Sequence, residues 1–218
     1  RRNRIVLAAF ISGLAVFTTH FVALHGYQAG PEIRYALWPT VGSFALALGS
    51  FSVAAVAVMV RPTRLYRTLS GALALAGVAG MHFLGISGLR LAGEVAWEPG
   101  LAALAVVGGL VLAVVSAGVI YGPGLPRRLA TALGGSLAVA FLHFTAMSAI
   151  SIRPGVVADA GLTVSSGVMT GVIVAMVLGI AGVGAILGWT SWASQTGALR
   201  RFREALDAMP DGMAFYDS

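Results

Sequence analysis

The sequence has no cysteine and no lysine, and only eight of its 218 residues are acidic. Without cysteine the chain can form neither a disulfide nor a thiolate metal ligand, and it carries no mark of its redox compartment. Without lysine, all 14 basic residues are arginines. Charged residues make up 10% of the chain and apolar ones 58%, and the mean hydropathy is +0.89. Soluble domains are roughly half apolar and a quarter charged, so this balance excludes a soluble enzyme. The formal charge of +6 superficially suits a nucleic-acid binder, but the positions of the arginines argue against that. No glycine-rich phosphate loop and no nucleophile with its base stands out.

What the chain does have is uncharged apolar runs near 20 residues long, at about 5–24, 38–60, 69–89, 101–121, 129–150 and 164–189. Each is enough to cross a hydrocarbon core of ~30 Å as a helix. The runs are continuous rather than alternating, which selects helices over barrel strands. The expected fold is an all-α integral membrane bundle of six transmembrane helices in three repeated helix pairs. In a six-helix meander, Arg1, Arg2, Arg4, Arg61, Arg64, Arg67, Arg127, Arg128, Arg200, Arg201 and Arg203 fall on one side, and only Arg34, Arg90 and Arg153 on the other. The positive-inside rule then puts both termini in the cytoplasm. Aromatic residues frame the same boundaries, with Tyr27, Tyr35, Trp38 and Trp97 outside and Tyr66, Tyr121, Trp189 and Trp192 inside. Gly30-Pro31 marks a turn in the first outer loop, and Glu32 and Asp159 are among the outer-loop acids. The first run is too long for a signal-peptide core. The chain opens without methionine and stops at Ser218, so we expect a piece of a longer protein.

A six-residue pattern recurs through this apolar background: Thr19-His20-Phe21-Val22-Ala23-Leu24, Met81-His82-Phe83-Leu84-Gly85-Ile86 and Leu142-His143-Phe144-Thr145-Ala146-Met147. The histidines stand at a common distance from the arginines that open their helices, His20 beyond Arg4, His82 beyond Arg67 and His143 beyond Arg128, which sets them at one depth toward the outer leaflet. An ionisable side chain inside a membrane helix is costly enough to count as a functional lead. Imidazole suits copper, zinc, iron and nickel, whereas thioether selects copper(I). His20, His82 and His143 with Met81 and Met147 therefore favour copper, with His25 as a further candidate ligand. Thr19, Ser87, Thr145 and Ser148 are candidates to hydrogen-bond the rings. Two rival readings stay open: two of the histidines as axial ligands of haem, or histidines that only pack helices or take a metal-free signal. The glycines of the last run, Gly171, Gly179, Gly182, Gly184 and Gly188, offer a small-residue face for helix packing.

The repeated hexapeptides resemble the Met-His-Tyr-Thr signature of the MHYT domain, a bacterial inner-membrane sensor module with three such motifs on alternate helices. The resemblance covers about residues 1–192. It carries the family histidine onto His20, His82 and His143, the first methionine onto Met81 and the second onto Met147. Thr19, Leu142, Leu24 and Ile86 stand where the other methionines belong, and Phe21, Phe83 and Phe144 replace the tyrosine. The family usually has seven spans, so the resemblance implies that a first span precedes those read here. The resemblance implies a copper site that senses oxygen, nitric oxide, carbon monoxide or redox state, in a segment that is not itself catalytic. Residues 193–209 read as a cytoplasmic connector helix, and 210–218 as similar to the start of a PAS domain. The family implies a cytoplasmic output in the same chain, either cyclic di-GMP turnover or a histidine kinase, and a homodimer in the bilayer with no nucleic-acid partner.

Overall fold

The computed structural model describes residues 2–26, 33–153, 155 and 161–207. Tyr27, Gly30-Pro31, Glu32, Asp159 and the PAS-like stretch lie outside the described residues. Helices α1 (Arg2–His25), α2 (Leu37–Val60), α3 (Arg64–Ser87), α4 (Pro99–Val115), α5 (Leu125–Ser148) and α6 (Ser166–Asp207) account for the six apolar runs. All six are long and apolar enough to cross a membrane. Prolines at helix starts and local caps set several of the boundaries. Thr63 accepts from the Tyr66 N–H before α3, and the Glu98 carboxylate accepts from the Gly100 and Leu101 N–H groups with Pro99 at the first helical position of α4. Between α4 and α5 the chain makes one π turn, Ser116–Ile120, and then passes through Gly124 at φ +91°, a conformation that needs glycine.

Among the described residues, five short strands, which the hydropathy pattern does not reveal, lie in the connections that follow α1, α3 and α5. They are β1 (Arg34–Ala36), β2 (Leu89–Arg90), β3 (Glu94–Trp97), β4 (Ile150–Arg153) and β5 (Thr163–Ser165). β1 pairs antiparallel with both β2 and β5, and β3 pairs with β4 from Glu94 opposite Arg153 to Trp97 opposite Ile150. One end of the bundle is thus closed by backbone pairing, while the other carries the arginine-rich turns. Tyr35, expected near the outer boundary, lies in β1 at this end and is 1% exposed, with its ring 5.7 Å from Phe21.

α2 packs on α3, α4 on α5 and α1 on α2, with small residues at the closest approaches. A Cβ on Gly13 would meet the Ala47 carbonyl at 2.9 Å, and one on Gly109 would crowd Leu142 and Leu75 at 3.1 Å each. The chain divides into two units, with the boundary between Val177 and Leu178. In the first unit, α6 begins against α1, where the Thr18 hydroxyl lies 3.7 Å from Met176 Sδ and Met169 is buried. The described part of the second unit, residues 178–207, is helix, with Trp189 and Trp192 5.5 Å apart. A Cβ added at Gly171, Gly179, Gly182, Gly184 or Gly188 would meet nothing within 4 Å among the described residues.

Candidate metal centre

His20, His82 and His143 each lie five residues before the last residue of their helices, which end at His25, Ser87 and Ser148. At 1.5 Å per residue this places all three ~7.5 Å below the strand-capped end. The equal depth is realised in space. His20 Nδ1 is 3.2 Å from His82 Nδ1 and 3.4 Å from His143 Nδ1, and the candidate ligand atoms all lie within 4.8 Å of one another. The rings meet edge to face, with centroids 4.9, 5.4 and 5.1 Å apart. All three residues are buried, at 4%, 1% and 9% exposure.

Two features mark this cluster as more than packing. A neutral imidazole carries one N–H, so His20 Nδ1 can donate to only one of the two nitrogens beside it. Furthermore, His20 Nε2 and His82 Nε2 are buried without a hydrogen-bond partner among the described residues. Lone pairs converging in an apolar interior are unfavourable unless a cation gathers them. Three nitrogens bound at ~2.0 Å to one ion stand ~3.3–3.5 Å apart, and the separations of 3.2 and 3.4 Å match that spacing. The residues therefore fit a metal ion. They do not fit axial haem ligation, which needs a porphyrin plane between two imidazoles. Edge-to-face rings with nitrogens 3.2 Å apart leave no slot for it.

The other candidates divide. Met81 is 1% exposed and lines, with all three histidines, an apolar cavity of about 610 Å³ that runs along α3 between α1 and α5. Met147 is half-buried and packs on the hydrophobic core, outside the lining of that cavity. The hydroxyls of Thr19, Ser87 and Ser148 donate to carbonyls of their own helices, at Ala15, Leu84 and Phe144, and all three residues are exposed; Thr145 is half-buried. His25 is not brought to the trio. Its Nε2 lies 2.8 Å from Thr170 Oγ1 and 3.2 Å from Ser166 Oγ, and its Nδ1 3.4 Å from the Tyr35 hydroxyl. It joins the end of α1 to the first turn of α6, a role that the sequence reading missed because long-range partners leave no local pattern.

The chain matches the profile of a family described as a bacterial signalling protein N-terminal repeat, MHYT, over residues 13–72 and 76–133. These two repeats contain His20 and His82, and the third histidine lies beyond them. An uncharacterized signaling protein of Caulobacter vibrioides is 33% identical over 98% of this chain and 27% of its own length. The cyclic di-GMP phosphodiesterase NbdA of Pseudomonas aeruginosa is 29% identical over 87% of this chain and 25% of its own. The chain thus spans about a quarter of the length of these relatives. No solved structure matches.

Proposed function

This chain belongs to the MHYT family of bacterial signalling proteins, whose repeats form a multi-pass membrane sensory domain, and we propose that its buried histidine trio holds a copper ion through which it senses a diatomic gas or redox state. The observation that carries this reading is the convergence of three Nδ1 atoms at 3.2 and 3.4 Å. Copper is favoured over zinc by the soft Met81 thioether on the same cavity wall. Bound copper would supply an open coordination position for a small apolar ligand. His20, His82 and His143 fix its place, and the apolar cavity gives an uncharged molecule dissolved in the bilayer a dry route to it.

Helix α6 is the element that carries a change away from the site. It starts beside His25 and runs unbroken from Ser166 to Asp207, through the boundary expected between span and connector. The output lies in further domains of the same protein, and the phosphodiesterase relative supports cyclic di-GMP turnover as its chemistry. The arginine distribution supports an inner-membrane location with the trio toward the periplasm, and the recurring glycines of α6 support association of two copies. Elemental analysis of protein purified from copper-replete cells tests the central step. We expect near-stoichiometric copper that is lost in the His20→Ala/His82→Ala/His143→Ala variant; metal-free parent protein would sink the reading.

A further inference from the structure

In all three motif copies the third residue after the histidine is small: Ala23, Gly85 and Ala146. Three positions along a helix return to nearly the same face, so this residue shares the inward side of its helix with the histidine. Ala146 is fully buried and Ala23 half-buried. At Gly85 there is no room even for a methyl group. A Cβ there would stand 2.9 Å from His20 Nε2, 3.5 Å from its Cδ2 and 3.7 Å from Phe21 Cζ. The atom in the way is not the free end of a flexible chain. It is the edge of a ring that is 4% exposed, whose opposite nitrogen is the one lying 3.2 Å and 3.4 Å from His82 and His143. The ring cannot yield at Nε2 without moving Nδ1.

Metal-binding histidines are normally oriented by a hydrogen bond from the second nitrogen. His20 Nε2 has no such partner among the described residues. We propose that Gly85 is the positioning residue of the trio: lacking a side chain, it lets the His20 ring seat against α3, so that shape, in place of an outer hydrogen bond, turns Nδ1 toward His82 and His143. The affinity arm of the test rests on the copper reading, and the seat itself does not.

The test compares full chains in nanodiscs: parent, Gly85→Ala, His20→Ala, and both together, with copper affinity measured against a chromophoric chelator. Gly85→Ala weakens copper binding by ~10–100-fold, the range for loss of an orienting contact. In the His20→Ala background the same change adds less than about twofold, because the ring it displaces is already gone. Gly49→Ala is the control, since a Cβ there meets nothing within 4 Å and the residue lies outside the cavity lining, and it leaves affinity unchanged. Parental affinity in Gly85→Ala, or an equal further loss in the His20→Ala background, overturns the proposal. Should Gly85→Ala fail to fold, the double variant must fold as well as His20→Ala alone; a double variant that also fails makes Gly85 a general packing residue. Carbethoxylation of His20, read by mass spectrometry without copper, separates the two readings. Raised reactivity in Gly85→Ala supports the seat even if the parent is metal-free, and unchanged reactivity removes it.

Discussion

His20, His82 and His143 occupy matching positions, yet their surroundings differ. Phe21 is fully buried beside Tyr35, Phe83 lies 5.0 Å from Trp97, and Phe144 is exposed. The recurring His-Phe pair made the three histidines legible in the sequence, and the motif did not distinguish these environments. The hydroxyls of Thr19, Ser87 and Ser148 donate to carbonyls of their own helices, a local alternative always open to these side chains. Replacing them by valine or alanine leaves copper affinity far short of the ~10–100-fold loss that follows removal of an outer hydrogen bond, whereas His82→Ala exceeds that range in the same chelator titration. Tyr35 carries a pH consequence. Burial raises its phenol above the ordinary value, so the stability it contributes is complete below ~10 and is lost as the pH rises through the raised value. Tyr35→Phe removes this alkaline limb, which thermal unfolding from pH 9 to 12 will show.

At the scale of elements, six apolar runs with proline and arginine at their ends placed the helices to within about six residues, except that α6 continues past the expected end at 189 to Asp207. The strands escaped because two to four residues of alternation, such as Glu94–Trp97 opposite Ile150–Arg153, are too short to stand out beside runs of 20. They are fixed by long-range pairing, which no local pattern records. The Glu98 cap, by contrast, is local: Glu98→Ala costs ~1 kcal/mol, measurable as a lowered unfolding midpoint with copper content unchanged. His25 belongs to this scale because it ties two elements. Removing its imidazole frees the Ser166 and Thr170 hydroxyls at the start of α6. His25→Ala therefore speeds amide exchange in the first two turns of α6 while copper stoichiometry stays at the parental level, and a loss of copper in this variant would return His25 to the ligand set.

For the molecule as a whole, composition decided the class, the motif supplied the family, and the three-dimensional structure added convergence. Equal depth along three helices could be counted in the sequence. That α1, α3 and α5 turn those faces inward depends on small-residue contacts such as Gly13 with Ala47 and Gly85 with His20, which only packing reveals. A trio of histidines brought this close could hold one shared ion, and that is what the proposed reading asks of it. X-ray absorption at the copper edge of the purified chain in nanodiscs addresses this most directly. The account predicts bound copper with an imidazole shell of about three nitrogens near ~2.0 Å, reduced in His82→Ala; an absent edge, or a shell without the multiple scattering of imidazole, would contradict it.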